Sequence, residues 1–132
     1  MNYLLDTHTF LWTISSTGNL SKKAQEVIKN PKNEIYVSAV SFWEISIKTR
    51  LKKLNLDKIE PEELLTLSEK MDFQVISLTA EEAITYHKLK EETHNDPFDR
   101  MLIWQSISRN MTIISKDQEF YKFIPYGLQL IW

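Results

Sequence analysis

The sequence predicts an α/β fold: a mainly parallel central sheet of about five short strands with helices on both faces. Three observations predict it. Five short apolar runs recur along the 132 residues, helical patterning fills the stretches between them, and capping chemistry marks several of the boundaries. Strands separated by helices are joined by right-handed crossovers, which cover both faces of a parallel sheet.

The elements follow in order. Tyr3 to Leu5 is the first strand, and a helix begins near Thr7 to Phe10. Ile35 to Val37 is the second strand. A helix over Ser38 to Leu54, at about 100° per residue, gathers Val40, Trp43, Ile47, Leu51 and Leu54 into one apolar stripe with Glu44 on its edge. Pro61 suits the first turn of a helix containing Leu64, Leu65 and Leu67. Phe73 to Ile76 is the third strand, and Thr79 with Glu82 forms a capping box ahead of Ala83, Ile84 and Leu89. Asp96 and Pro97 open a helix through Met101, Leu102, Ile103 and Ile107, which Asn110 ends. Thr112 to Ile114 and Leu128 to Ile131 complete the sheet. With no linker composition and no repeat, residues 1–132 read as one domain.

Composition narrows the function. Hydrophobic residues make up 42% and aromatic residues 11% of the chain, enough to build a core. The absence of cysteine excludes disulfides, zinc-thiolate sites and thiol nucleophiles, and fits a reducing, cytoplasmic setting. MNYLLDTHTFLW has neither the basic start nor the long apolar run of a signal peptide, and no stretch reaches the roughly 18 apolar residues that span a bilayer. A net charge of −2 argues against a generally basic nucleic-acid coat but sums local patches of both signs. The two glycines, Gly18 and Gly127, are too few and too far apart for a phosphate loop or dinucleotide fingerprint.

Five acids stand at element boundaries or beside apolar faces: Asp6, Glu44, Asp96, Asp99 and Asp117. Ligands in open parallel sheets bind beyond the carboxyl ends of strands, where Asp6 and Asp117 follow the first and fourth runs. Taken singly, each has an ordinary reading too. Asp6 suits a helix cap, Asp117 a turn, and Glu44 an exposed pair with Lys48 four residues on. Asp96 is the natural cap before Pro97, which leaves Asp99 to project from the first turn as the better ligand. Carboxylates gathered in one place repel one another unless a cation intervenes, so together the five read as a magnesium site, with manganese an acceptable substitute. Arg100 suits pairing with these acids more than contact with a phosphate. Lys48, Arg50, Lys52 and Lys53 cluster in KTRLKK, and Lys116 adjoins Asp117; each reads either as a phosphate contact or as solvated surface.

LLDTHTFLW at positions 4–12, VSAVSFWEISIK at 37–48, HNDPFDRMLIWQS at 94–106 and IISKD at 113–117 resemble, in order and spacing, the PIN-domain ribonucleases, especially VapC-type toxins. The resemblance implies a three-layer α/β/α fold and Mg²⁺-dependent endoribonuclease activity. It further implies an acidic quartet at Asp6, Glu44, Asp99 and Asp117 with Asp96 as an additional acid, and supporting roles for Thr7 and Ser115. Partners implied by it are structured RNA, a second copy of the chain, and an antitoxin packed on apolar surface, for which Phe10, Leu11 and Trp12 are candidates that read equally as core. Thr9 and Trp104 depart from the family pattern without touching the quartet. Three rivals remain: metal-independent cleavage through His8, His87 and His94, a non-catalytic binding module, and a receiver-like domain. The last lacks the paired acidic start it requires.

Overall fold

Because most strand residues are apolar on both faces, they can be buried only inside a helix-covered sheet. The computed structural model describes residues 1–132 and has such a sheet, made of β1 (Asn2–Leu5), β2 (Glu34–Ser38), β3 (Gln74–Ile76), β4 (Thr112–Ile114) and β5 (Gln129–Ile131). Their order is β3-β2-β1-β4-β5, with every neighbouring pair parallel. The chain builds outward from β1 on one side, then crosses to β4 and builds outward on the other. The reversal opens a crevice beyond the carboxyl ends of β1 and β4, where Leu5 pairs with Ile114.

Six α-helices, α1 (Thr7–Ser15), α2 (Lys22–Lys29), α3 (Ala39–Arg50), α4 (Glu63–Lys70), α5 (Ala80–Thr85) and α6 (Pro97–Ser108), join the strands together with 3-10 segments at Thr17–Asn19, Tyr86–Lys88 and Gln118–Tyr126. Strand alternation divides the core between two faces. Tyr3, Leu5, Ile35, Val37 and Ile114 pack with Phe10, Ala24 and Leu64, whereas Leu4 and Ile113 pack with Leu102, Ile103, Phe120 and Phe123. Each fully buried side chain of this kind contributes about 1.5–3 kcal/mol, so packing rather than intrinsic propensity holds these short helices.

Most boundaries follow the predicted chemistry. Thr79 and Glu82 make both bonds of the capping box, Asp96 caps α6 by accepting from Phe98 N and Asp99 N, and Asn110 takes a left-handed φ of 55° just past that helix. Several details differ from expectation. Helix α2 and the 3-10 segment after Asp117 lay in stretches to which the sequence pattern assigned nothing, and α5 stops at Thr85 instead of running through Leu89. Helix α3 ends at Arg50, and its buried face is Val40, Ser41, Glu44 and Ile45, while Trp43 is 60% exposed. The cause is position: α3 straddles the two layers, with Val40 in one core and Ile45 in the other, so no single apolar stripe governs it.

Candidate acidic site at the sheet edge

Asp6 leaves β1 at the crevice and is 6% exposed. Its Oδ1 accepts from Thr9 N at 2.8 Å, which caps α1, and its Oδ2 accepts from Ser115 Oγ at 2.5 Å. Burial raises its pKa, and these bonds only partly oppose the rise. Ser115 Oγ in turn accepts from Asp117 N at 3.1 Å, while the exposed Asp117 carboxylate caps the next segment through Glu119 N at 2.9 Å. Capping and crevice placement, alternatives in the sequence, are thus both true of Asp6. Asp6, His8, Trp12, Lys116 and Asp117 line a hollow of about 300 Å³.

Glu44 stands on the other side of Thr7. It is 3% exposed, and its Oε1 accepts from Thr7 Oγ1 at 2.6 Å while Oε2 pairs with Lys48 Nζ. The two readings of Glu44, a core-held carboxylate and a partner for Lys48, are therefore both realised. Helix α6 brings Asp96 and Asp99 to the same neighbourhood, with Phe98 packed edge-on against Trp43 of α3 at 5.4 Å. Burial first, then repulsion from Asp96 and Glu44, raise the Asp99 pKa to about 7 despite its contact with His94 Nε2 at 3.0 Å. Burial would lower the pKa of Lys48; its bond to Glu44 and the charges of Asp96 and Asp99 outweigh that, and the net shift is upward.

The acids thus form two neighbouring groups beyond the carboxyl ends of the strands. Asp6 and Asp117 are joined through Ser115; Glu44, Asp96 and Asp99 are coupled electrostatically; and Thr7, next to Asp6 in sequence, bonds to Glu44. No three His, Cys, Asp or Glu side chains are arranged as a finished metal cage. The donor set still suits a hard divalent ion: oxygen ligands only, and two carboxyls, Asp6 and Asp99, whose charged forms the protein leaves undercompensated.

Other candidates fall elsewhere. Arg50, Lys52 and Lys53 are exposed at the far end of α3. Arg100 pairs with none of the crevice acids; its guanidinium donates to the carbonyls of Leu89, Glu91 and His94 and to the Tyr86 hydroxyl, fastening the loop that precedes α6. His94, considered in the sequence only for imidazole catalysis, lies against Asp99, and its position five residues before that acid in HNDPFD was the available signal. No local pattern signals the buried network in which Ser38 donates to Gln105, and Gln105 and Arg109 both donate to Glu82.

A family model described as PIN domain matches residues 3–124. No curated protein matches at a significant level. Among solved structures, the chain is similar to VapBC2 from Rickettsia felis bound to a DNA fragment from their promoter, with a TM-score of 0.73 and 20% identity over 99% of this chain and 98% of that one. VapBC-1 from nontypeable Haemophilus influenzae matches with a TM-score of 0.67 and 22% identity, covering 99% and 97%. FitAcB from Neisseria gonorrhoeae matches with a TM-score of 0.63 and 13% identity, covering 98% and 96%.

Proposed function

The chain belongs to the PIN domain family, and we propose that it is a divalent-metal-dependent endoribonuclease, the toxin of a toxin-antitoxin pair acting on RNA in the cytoplasm. The observation that carries this reading is the gathering of Asp6 and Asp117 around Ser115, with Glu44 bonded to Thr7 beside them, beyond the carboxyl ends of β1 and β4 where the strand order reverses. Asp6, Asp99 and Asp117 are the principal holders of Mg²⁺ or Mn²⁺, Glu44 is a ligand or the group that orients the attacking water, and Asp96 is a second-choice ligand because it already caps α6.

A divalent ion held by these carboxylates would supply Lewis-acid activation of water and charge neutralisation at the phosphate, the chemistry of hydrolysis to 5′-phosphate and 3′-hydroxyl ends. The chain's own groups prepare the place. Ser115 and Thr9 orient the Asp6 carboxylate through separate oxygens, Thr7 and Lys48 hold Glu44, and His94 fixes one oxygen of Asp99. Lys116, exposed beside Asp117, supplies a phosphate contact, and Arg50 adds charge farther along α3. Lys48 belongs to the same positive set but is engaged with Glu44.

Apolar surface supports the two protein partners. Leu11, Trp12 and Ile14 face Leu54, Leu56 and Ile59 across a groove of about 360 Å³ that suits an antitoxin segment, while Phe10 is wholly buried and belongs to the core. Trp43, 60% exposed, lines an apolar groove with Leu78, Ala83 and Met101, and we assign that groove to a second copy of the chain. No helix is long and apolar enough to cross a membrane.

RNA cleavage by the purified protein in Mg²⁺ tests the reading. Asp6→Asn and Asp99→Asn should each lose cleavage and growth inhibition, and chelator should abolish activity in the unaltered chain. Growth inhibition retained by the variants, with no RNA cleavage by any of the chains, would instead support a non-catalytic binding module. One observation favours the histidine alternative, the contact between His94 and Asp99; cleavage that survives chelator and leaves cyclic phosphate ends would establish it.

A further inference from the structure

The hollow beside the acidic centre has an aromatic wall for which the chemistry above has no use. His8 and Trp12, one turn apart on α1, stack at 5.9 Å between ring centroids with 30° between their planes. Trp132, from the end of the chain, braces Trp12 at 5.9 Å. Lys116 Nζ lies 5.9 Å from the Trp12 ring. His8 and Lys116 are exposed, and Trp12 is half-buried, fixed on one side by the core.

We propose that His8, Trp12 and Lys116 form a base-binding subsite that holds one unpaired nucleobase of RNA beside the scissile phosphate. The proposal rests on the nuclease reading for its last phrase only. Proteins that take single-stranded nucleic acid combine a ring on which a base stacks with a cation for the neighbouring phosphate, and these three side chains supply that combination. The volume, about 300 Å³, is at the small end of ligand pockets and suits one planar ring with its sugar rather than a folded element. Bracing by Trp132 holds the indole in place before binding, so little side-chain entropy remains to be lost. Asp6 and Asp117 line the same hollow, so a base seated on Trp12 brings its own phosphate toward the carboxylates.

Binding of the full chain to an unstructured, fluorescein-labelled RNA octamer, in chelator so that nothing is cut, tests the proposal by anisotropy. Two octamers are compared, one intact and one with a single abasic residue. Trp12→Leu, which keeps apolar bulk, should weaken binding of the intact octamer roughly tenfold and erase the preference for it over the abasic one. Trp12→Phe should restore most of that preference, which separates loss of the ring from loss of the fold. Lys116→Met should reduce the salt dependence by about 0.7 in log–log slope, the share of one phosphate contact on a single strand. Unchanged binding by Trp12→Leu, or equal weakening for both octamers, overturns the proposal; the former leaves the hollow to a protein side chain. A parent chain that prefers the intact octamer yet cuts nothing in Mg²⁺ sinks the nuclease reading alone, and one that cuts RNA without any such preference sinks the subsite alone.

Discussion

Asp99 has an environment far from that of water. Its carboxyl moves from an ordinary 3.8 to about 7 because burial and the neighbouring Asp96 and Glu44 disfavour its charge. The folded chain therefore binds this proton more tightly than the unfolded chain does between those two values. Metal-free protein should lose stability as pH rises from about 4 to 7 on this account, and change little from this group beyond. Denaturant midpoints of the parent and Asp99→Asn, measured across that range, should converge at acid pH and separate at neutral pH with the variant more stable; parallel curves would refute it. Asp6, whose pKa burial also raises, is held in addition by a hydroxyl. Its buried carboxylate depends on Ser115, so Ser115→Ala should cost about 1–3 kcal/mol in urea unfolding and also reduce cleavage, because one oxygen of Asp6 loses its orienting bond.

Among the elements, α5 and α6 are joined by the least legible feature of the chain. Glu82 serves the α5 capping box and also accepts from Gln105 Nε2 at 3.0 Å and Arg109 Nε at 2.6 Å. Burial would raise its pKa, but the Arg109, Thr79 and Gln105 bonds outweigh this and bring it down from 4.5 to about 2. That stabilisation is present above pH 4.5 and is lost as pH falls toward 2. Glu82→Gln should cost about 2–3 kcal/mol at neutral pH, with the difference from the parent shrinking in acid; a cost independent of pH would show that packing, not charge, is responsible. Only half of Glu82's role was readable beforehand. A capping box is local and three residues long, whereas the partners Gln105 and Arg109 come from 23 and 27 residues away. The same limit explains α3. Helical periodicity finds the face of a helix that packs on one surface, but α3 meets two cores, and its buried Ser41 and Glu44 are acceptable there only because Thr7 and Lys48 bond with them.

For the whole molecule, the strands were legible because runs buried on both faces leave an unbroken apolar mark, Asp6, Asp96, Asp99 and Asp117 because each sits near such a run or a cap, and Glu44 because it borders a helical apolar stripe. What no local pattern carries is the strand order, β3-β2-β1-β4-β5, that sets β1 beside β4 and so gathers Asp6 and Asp117. This gathering makes the molecule's stability and its proposed activity opposed. The fold supports a local concentration of negative charge, against an overall charge of only −2, and a bound divalent ion would relieve it. Mg²⁺ at a hundred times its dissociation constant would add about 2.7 kcal/mol, a rise of roughly 10 °C in Tm for a chain of this size. The rise should be larger at pH 8 than at pH 5.5, where a proton occupies Asp99 and competes with the ion, and it should shrink in the Asp6→Asn and Asp99→Asn variants even as their metal-free Tm equals or exceeds that of the parent. Thermal scans with and without Mg²⁺ at the two pH values decide the matter. An equal rise in all chains would place the ion elsewhere, and no rise in any would remove the reason for so many carboxylates to share one end of the sheet.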